Sequence, residues 1–590
     1  MWYRAPFQRS CCFQPNELPF FPGVLMRRIF STIAFCLLLA CIAFAADERI
    51  LYNGKIFTAD TTHPYAEAVA IRGDKIVAVG TFAEVSKAVS GSAEKVDLKG
   101  NLLLPGLIDS HAHAVDGGLS LISADLGESA STMEDLFKFA AESRKNGRGM
   151  MGDVLDVSGL PLEYWSHNKE LNEHFNSGDY AKVPVYLEGM DGHTAWANKV
   201  LLERAGINKQ LISGLDQTAR GYYGFSKDLE PNGFLVDLGN EKVEQIMPKP
   251  DAARMLSAAR AAVDYMHHLG ITAWLDPAVS DAILAAYRGL AEKGELKSHV
   301  GALPVIAFKK GDPDGQFKHA LDLRESFKDV PDVKVIGIKV FADGVAEIPS
   351  QTAVMSKPYL NTGRTGELLF KPEDFQRICV AAEKNGMIIH VHAIGDQAVT
   401  EALNGIQAAR SSNPSSKLPH TITHLQFVRP EDISRIHDLK VIASMQLLWA
   451  RAEVDSTKLL KPYIDPYLYG WQYPARSILD TGATVAGASD WPVSTADVFQ
   501  AIYTAETRKG PEGVLDPSQR MPREAMLYAY TINAARALDR QESIGSIAEG
   551  KQADFALVDR DVLTIAAEDV RDTKVLWTVF GGETVYGAKP

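Results

Sequence analysis

Residues 102–113 read LLLPGLIDSHAH, a short apolar run that ends in polar residues. Similar runs recur along the chain, and helical segments such as residues 251–269 separate many of them. Apolar strands that alternate with helices indicate a parallel sheet buried on both faces. The other apolar runs are residues 183–193, 271–279, 300–308, 333–344, 387–396, 421–428, 441–448 and 484–493.

About eight strand–helix units predict an α/β fold of the (β/α)₈ or TIM-like barrel type. We expect the barrel to span residues 102–535, with its largest insertion around residues 115–250. The chain ends differ, because apolar and polar residues alternate there in the manner of hairpins. We therefore expect a small β-sandwich domain assembled from residues 47–101 and 536–590.

The composition limits the partners and the metal chemistry. The 590 residues carry a formal net charge of −13. Nucleic-acid binding needs a basic face, so we expect a small-molecule substrate and no nucleic-acid partner. Only Cys379 of the five cysteines lies beyond residue 41, which excludes a multi-cysteine zinc site from the rest of the chain. Metal ligands there must be histidines and carboxylates, and the sequence leaves a homo-oligomer open.

The first 46 residues have the pattern of an export signal. Arg27 and Arg28 precede a long uncharged run that ends in Ala-Phe-Ala, a sequence typical of signal-peptidase sites. We expect residues 1–46 to be a signal peptide, translation to begin at Met26 and the mature protein to lie in a bacterial periplasm. Two alternatives stay open. The run is long enough to be an uncleaved membrane anchor, and Cys41 could carry a lipid anchor.

Polar residues close several of the predicted strands. In a (β/α)₈ barrel the carboxyl ends of the strands form the active-site face. Residues i and i+2 of a strand project to the same face, so His111 and His113 can reach one metal ion. His390 and His392 form a second pair of this spacing. The strand-end candidates are His111, His113, Lys339, His392, His424 and Asp490.

PGLIDSHAH, at residues 105–113, resembles the first-strand signature of the amidohydrolase superfamily, which contains metal-dependent hydrolases on (β/α)₈ barrels. Further segments resemble its amidohydrolase-3 branch, which includes enzymes similar to N-substituted formamide deformylases. They follow in order from about residue 50 to residue 587: NGKIFT, DKIVAVG, EGMDGHTAWANKVLL, IKVFADG, HAIGDQAV, HLQFV, GASDWPV and GSIAEGKQADFALVD. An ordered match along the chain is more specific than any single motif.

This resemblance implies a centre for one or two divalent ions. The more buried ion would be held by His111, His113 and Asp490, and the second ion by His392 and His424. Zinc is the default ion for histidine and carboxylate ligands, while iron, manganese and nickel stay open.

Lys339 stands where the family pattern suggests a carboxylated lysine that bridges both ions. An ammonium group cannot bind a cation, whereas a carbamate supplies two anionic oxygens. The alternative is a core lysine paired with an acid such as Asp343. We interpret His390 as a residue that packs behind the ligands. Thr423 stands where this branch is expected to have a glutamate, which puts the surroundings of the next histidine in doubt.

The resemblance also suggests roles in catalysis. Asp490 would take a proton from the attacking water and pass it to the departing amine. His193 would bind the substrate and polarise its carbonyl. Asp191 would bind the substrate or, as Asp-Gly pairs ordinarily do, form a turn.

The reaction we expect is hydrolysis of a non-peptide carbon–nitrogen bond in a small amide, such as an N-acyl or N-formyl compound. The same centre could instead cleave an ester, a lactone or a urea-type bond. A function of a different class would be a non-catalytic, secreted metal-binding protein. The presence of all six candidate ligands argues against that function.

Overall fold

The computed structural model describes residues 48–127 and 132–590. The signal peptide, the start at Met26 and the anchor at Cys41 that the sequence suggests lie outside these residues. Among the helices of the described part, none is both long and apolar enough to cross a membrane.

The chain begins with hairpin strands. A tight turn at Gly73, with φ +60°, lets the second and third strands pair antiparallel. The first strand pairs antiparallel with the second and in parallel with the fourth and fifth. The elements are β1 (Glu48–Phe57), β2 (Tyr65–Arg72), β3 (Lys75–Gly80), α1 (Phe82–Val85), β4 (Glu94–Asp97), β5 (Leu102–Pro105) and β6 (Leu107–Asp109).

The next part of the chain forms a separate six-stranded sheet in the order β11-β12-β10-β9-β8-β7. Its own core includes Leu155, Phe175, Leu187 and Trp196. The elements are α2 (Ala114–Ile122), α3 (Met133–Asn146), β7 (Met150–Met151), β8 (Val154–Leu160), a 3₁₀ turn (Leu162–His167), α4 (Asn168–Phe175), a 3₁₀ turn (Gly178–Tyr180), β9 (Val185–Gly189), β10 (Thr194–Ala197), α5 (Lys199–Arg204), α6 (Lys209–Gly214), α7 (Gln217–Arg220), β11 (Tyr223–Phe225), β12 (Pro231–Val236) and α8 (Leu238–Glu244).

The apolar run 183–193 lies inside the insertion expected around residues 115–250. It forms β9, which pairs with β8 and β10 and not with the parallel sheets. An apolar run records burial, and the core of the insertion buries a strand as fully as the parallel sheets do.

Two parallel sheets follow, in the orders β15-β14-β13-β6 and β16-β17-β18-β19-β20. The elements up to β16 are α9 (Ala252–His268), β13 (Ile271–Val279), α10 (Asp281–Ala291), β14 (His299–Pro304), a 3₁₀ turn (Phe308–Lys310), α11 (Pro313–Ser326), β15 (Val333–Val335) and β16 (Gly337–Phe341). The elements from there to β22 are α12 (Pro372–Lys384), β17 (Ile388–Ala393), α13 (Asp396–Ser412), β18 (Thr421–His424), α14 (Pro430–Asp438), β19 (Ile442–Met445), α15 (Val454–Thr457), a 3₁₀ turn (Lys461–Tyr463), α16 (Pro466–Tyr469), α17 (Ala475–Asp480), β20 (Val485–Gly487), α18 (Val498–Thr507), β21 (Lys509–Gly510) and β22 (Gly513–Val514).

Backbone hydrogen bonds join the two parallel sheets at both edges. Ser110 N–H donates to the Gly487 carbonyl at 3.0 Å, and Ile306 N–H donates to the Lys339 carbonyl at 2.8 Å. The parallel strands alternate with helices, so the predicted α/β fold is confirmed. The bonds at the two edges are consistent with the barrel closure expected from the sequence.

The chain ends in a 3₁₀ turn (Pro517–Gln519), α19 (Arg523–Tyr528), a π-helical turn (Ala529–Asn533), α20 (Ala534–Ala537), β23 (Phe555–Val558), α21 (Ala567–Val570), β24 (Val575–Phe580) and β25 (Glu583–Gly587). The last three strands join the first five in one eight-stranded sheet, ordered β25-β24-β23-β5-β1-β2-β3 with β4 beside β1. Both chain ends supply its core, for example Leu51, Leu103, Phe555 and Trp577. The predicted sandwich packing of this region stays a prediction.

The barrel was expected to begin at residue 102, but in the structure the terminal sheet extends to Pro105 and the parallel sheets begin at Leu107. Strand β5 pairs with β1 and β23, whereas β6 pairs with β13. Gly106 lies between them, and a Cβ atom there would lie 2.2 Å from Thr272 Oγ1. A glycine therefore lets one apolar run serve two sheets.

Candidate active site

The predicted strand-end residues lie close together. His111 follows β6, Lys339 lies in β16, His392 in β17 and His424 at the end of β18, while Asp490 follows β20. These five side chains are buried, and His113 is partly exposed. The structure thus brings together residues that are separated by hundreds of positions in the chain.

Asp490 lies at the centre of this group. Its Oδ1 atom is 3.1 Å from His111 Nε2 and 3.2 Å from His113 Nε2, and its Oδ2 atom is 3.9 Å from His424 Nδ1. Burial raises the pKa of the carboxyl, but the neighbouring histidines outweigh this effect and hold the pKa well below its usual range. Asp490 is therefore a carboxylate, the form that can bind a cation.

The observed cluster of ligand atoms differs from the two separate ligand sets that the resemblance implies for two ions. Ligand atoms of His111, His424 and Asp490 all lie within 4.8 Å of one another. His392 stands next to this cluster, with its ring centroid 4.5 Å from that of His424. His392 Nε2 lies 3.1 Å from the Gly344 carbonyl oxygen. The histidine assigned to the second ion, His424, thus also faces the first.

Two of these residues occupy left-handed backbone conformations. His424 has φ +74° and Asp490 has φ +59°, which is uncommon for residues with a side chain. Asp490 N–H donates to the His111 carbonyl at 2.8 Å, which helps to hold this conformation. Strained residues persist only where the surrounding structure fixes them, and they concentrate at functional sites. These conformations leave no recognisable signal in the sequence.

His111 is held from behind by His390, as expected. His390 Nε2 lies 2.7 Å from His111 Nδ1, and His390 also hydrogen-bonds Thr421. Burial and then the charge of His111 lower the pKa of His390 well below its ordinary value, so it is neutral. A partner on Nδ1 leaves Nε2 of His111 free to face Asp490.

Asp109 is a supporting residue that the sequence reasoning missed. Its Oδ1 atom accepts N–H groups from His111 at 3.0 Å and Ser489 at 3.1 Å. It therefore ties the end of β6 to the loop that carries Asp490. Its position in the PGLIDSHAH motif, two residues before His111, is the sequence signal that could have identified it.

Lys339 has no hydrogen-bond partner on Nζ among the described residues, although the side chain is fully buried. Burial lowers the pKa of its amine to about 7, although the charge of Asp490 acts in the opposite direction. The alternative partner Asp343 instead accepts N–H groups from Val354, Ile394 and Gly395 at 2.8–3.0 Å. The structure therefore does not support the expected alternative of a Lys339–Asp343 ion pair.

His193 and Asp191 lie in the insertion, next to this group. The His193 ring centroid is 6.1 Å from that of His392. Asp191 Oδ1 accepts N–H groups from His193 at 3.1 Å and Thr194 at 3.0 Å, which is the turn that Asp-Gly pairs ordinarily form. Its Oδ2 atom is buried without a hydrogen-bond partner among the described residues.

Asp237 is a second functional residue that the sequence reasoning missed. Its Oδ1 atom lies 2.7 Å from His193 Nδ1, and its N–H donates to the His193 carbonyl at 2.9 Å. Burial lowers the pKa of His193, but the hydrogen bond and charge of Asp237 outweigh it and raise the pKa to about 9. The ring is therefore a cationic donor at neutral pH.

A cavity of about 830 Å³ lies against this region and is lined in part by His193, Phe341 and Asp343. A second cavity of about 570 Å³ shares the lining residue Gly192 with the first. It is also lined by Asp116, in the first turn of α2. The first is large enough for a small organic molecule.

The donor set fits a divalent metal ion. His111 Nε2 and Asp490 Oδ1 lie 3.1 Å apart but lack the geometry of a hydrogen bond, and Lys339 Nζ has no hydrogen-bond partner among the described residues, although all three atoms are buried. Buried polar atoms ordinarily have partners, so a cluster without them points to a bound group. Imidazole nitrogens and carboxylate oxygens are ligands of zinc and related ions.

A model of the amidohydrolase family matches residues 94–586. The chain belongs to the amidohydrolase family. It is an enzyme that hydrolyses carbon–nitrogen bonds, and the resemblance seen in its motifs is confirmed.

Proteins similar to this amidohydrolase cover nearly the whole chain. Protein LONG AFTER FAR-RED 3 of Arabidopsis thaliana is 28% identical over 560 residues, covering 91% of each chain. The N-substituted formamide deformylase of Arthrobacter pascens is 25% identical over 574 residues, covering 91% of this chain and 98% of that protein. The crystal structure of an uncharacterized metal-dependent hydrolase from Pyrococcus horikoshii OT3 has a TM-score of 0.69 at 23% identity, covering 88% of this chain and 99% of that one. This last likeness supports the fold.

Proposed function

We propose that this amidohydrolase cleaves the non-peptide carbon–nitrogen bond of a small amide, such as an N-acyl or N-formyl compound. The observation that carries this proposal is the cluster of His111, His424 and Asp490, whose ligand atoms lie within 4.8 Å of one another. His392, next to this cluster, lies 3.6 Å from Asp343, which lines the cavity of about 830 Å³. The similarity to an N-substituted formamide deformylase supports an N-formyl or N-acyl substrate.

The residues that would hold one or two divalent ions, with zinc as the default, are His111, His113, His392, His424, Asp490 and a carboxylated Lys339. When bound, such an ion supplies a Lewis acid and a water molecule of lowered pKa. A buried amine whose pKa is about 7 is about half uncharged at neutral pH, and only the uncharged form can react with CO₂. This supports carboxylation of Lys339.

Asp490 would act as the proton carrier. Its Oδ atoms face the ligand cluster, so a water bound there lies within reach. The carboxylate takes a proton as the water oxygen bonds to the carbonyl carbon, and gives it to nitrogen as the carbon–nitrogen bond breaks. The products are a carboxylic acid and an amine.

His193 would hold the substrate carbonyl. The ring lines the large cavity and is kept cationic by Asp237, so it can donate a hydrogen bond to the carbonyl oxygen. Charge that develops on this oxygen in the transition state strengthens the bond. Asp191 fixes the turn before His193. Its Oδ2 atom, which has no hydrogen-bond partner in the described part of the chain, would also contact the substrate.

The proposal also covers the architecture, the localisation and the assembly of the enzyme. We infer a closed barrel of eight strands, supported by hydrogen bonds at both edges of the parallel sheets, with a small β-sandwich domain beside it. We also propose export through the leader at residues 1–46, which leaves the enzyme periplasmic or lipid-anchored. Assembly into a homo-oligomer is compatible with this arrangement.

A substrate panel tests the proposal. The purified enzyme, supplied separately with Zn²⁺, Mn²⁺, Fe²⁺ or Ni²⁺, is assayed for amine release from N-formyl and N-acetyl amines and for acid release from matched esters. We expect amine release from at least one amide, with esters cleaved more slowly. Cleavage of esters but of no amide, or no cleavage with any ion, would overturn the proposed reaction.

A further inference from the structure

Arg364 is a cationic side chain of the large cavity whose guanidinium has no acceptor in the described part of the chain. It is partly buried and lines the cavity of about 830 Å³. Among the described residues, none forms an ion pair or accepts a hydrogen bond from its guanidinium group. Its backbone, by contrast, is fixed, because the Arg364 carbonyl accepts the N–H of Tyr359 at 2.8 Å. A positioned guanidinium without an anion is suited to bind one from a ligand.

The other cations of this cavity wall are already paired. Lys310 lies 3.6 Å from Glu241, and Lys309 lies 4.0 Å from Glu367. The carboxylate of Asp237 is held by His193 at 2.7 Å. These pairs leave the guanidinium as the cationic group available to a carboxylate.

Glu244 also lines this cavity, and burial, followed by the charge of Glu241, raises the pKa of its carboxyl. It contributes to raising the pKa of Glu188, which lines the second cavity. Asp343 is held by three backbone N–H groups. Neither residue is within ion-pair distance of Arg364.

The guanidinium lies near the residues that position His193. A Cβ atom on Gly221 would lie 2.9 Å from Arg364 Nη1, so the guanidinium lies over the backbone beside Tyr222. Burial raises the pKa of the Tyr222 hydroxyl, the charges of Asp237 and Glu367 raise it further, and the charge of Arg364 lowers it. Tyr222, Asp237, His193 and Arg364 all line the same cavity.

Asn240 provides a second unsatisfied group in the same wall. Its Nδ2 atom donates to the His193 carbonyl at 2.7 Å, and the residue is 5% exposed. Its Oδ1 atom has no hydrogen-bond partner among the described residues. An acceptor next to His193 suits the N–H of a secondary amide whose carbonyl oxygen faces the imidazole.

We propose that the substrate is an N-acyl or N-formyl α-amino acid whose carboxylate binds Arg364 and whose amide N–H binds Asn240 Oδ1. Phe308 and Phe341, which also line the cavity, would contact an apolar amino-acid side chain. This assignment rests on the proposed amide hydrolysis and specifies its substrate class.

The test compares two amides that differ only in the carboxylate, N-formyl-DL-phenylalanine and N-formyl-2-phenylethylamine. In Arg364→Met we expect kcat/KM to fall about 10- to 100-fold for the first, because a charge-assisted bidentate bond is lost, and to change less than about threefold for the second. Arg364→Lys should recover part of the loss. Lys357→Met, which removes an exposed cation that pairs with Asp465 and does not line the cavity, should leave the ratio of the two substrates near that of the wild type.

An equal effect of Arg364→Met on both amides, or no effect on either, would overturn the assignment. Binding of the same two compounds to Asp490→Asn, measured by calorimetry, separates this outcome from failure of the proposed reaction. Preferential binding of the carboxylate compound, lost when Arg364→Met is added, supports the assignment even if neither compound is hydrolysed by the wild type. Equal binding of both compounds contradicts it.

Discussion

Asp490 meets His111 through both its backbone and its side chain. Its N–H donates to the His111 carbonyl at 2.8 Å, and its Oδ1 atom lies 3.1 Å from His111 Nε2. The backbone bond joins the loop after β20 to the end of β6 and helps hold Asp490 at φ +59°. The position of the carboxylate is therefore set by the contact between the first and last parallel strands.

Asp490→Asn tests the proton carrier. The amide keeps the shape of the side chain but cannot accept the proton from water, so we expect kcat to fall about 10²- to 10⁴-fold. Asp480→Asn changes an exposed aspartate that pairs with Arg476, and should leave kcat unchanged. The measurement is kcat for the best amide of the panel. Turnover near the wild-type level in Asp490→Asn with metal bound would refute the assignment.

Lys339→Met tests the bridging lysine. We expect loss of bound metal and a fall in kcat of more than about 100-fold, since loss of an outer partner alone costs about 10- to 100-fold. The exposed Lys328→Met is the matched control. Intact mass at neutral pH should show a CO₂ adduct in the wild type that Lys339→Met lacks. A fully active wild-type enzyme without the adduct would exclude the carbamate.

Asp237→Asn tests the residue that orients His193. Without the carboxylate, the imidazole loses both its fixed orientation and the charge that keeps it cationic, so we expect kcat to fall about 10- to 100-fold with a smaller change in KM. Asp228→Asn, in the exposed loop before β12, is the control. If kcat and KM respond alike in both variants, Asp237 has only a structural role.

His299→Gln tests a buried ion pair between the parallel and terminal sheets. His299 lies 3.1 Å from Asp332 and 3.2 Å from Asp554. Burial lowers its pKa, but the two carboxylates outweigh this effect and raise the pKa above 6.5. The stabilisation is therefore complete below the unfolded-state pKa and is lost as pH rises through the folded-state pKa.

We expect His299→Gln to cost about 1–3 kcal/mol at about pH 6 and less at about pH 9. Thermal unfolding at both pH values measures this difference. His319→Gln, whose exposed ring lies 2.9 Å from Asp281, should change stability by less than about 0.5 kcal/mol at either pH. A larger cost at high pH would contradict the sign of the shift.

The strand-end residues could be predicted from the sequence because each lies at or near the end of an apolar run. A parallel strand that is buried on both faces appears in the sequence as such a run. His111, Lys339, His392 and His424 were found in this way. Asp237 could not be found, because it meets His193 across 44 residues only after the insertion has folded. Arg364 was missed for a related reason: its loop shows no periodicity, and its significance lies in the partners of the residues around it. The run 183–193 has the apolar pattern of a barrel strand although it lies in the insertion, because burial in a second core produces the same pattern.

Metal content measured by inductively coupled plasma mass spectrometry tests the central claim most directly. After zinc loading and removal of unbound ions, the wild type should retain about one to two ions per chain. His424→Ala should lose most of this zinc together with amide hydrolysis, while His437→Ala, an exposed histidine, should keep both. A His424→Ala enzyme with the zinc content of the wild type, or a wild type that hydrolyses amides without any bound ion, would contradict the account.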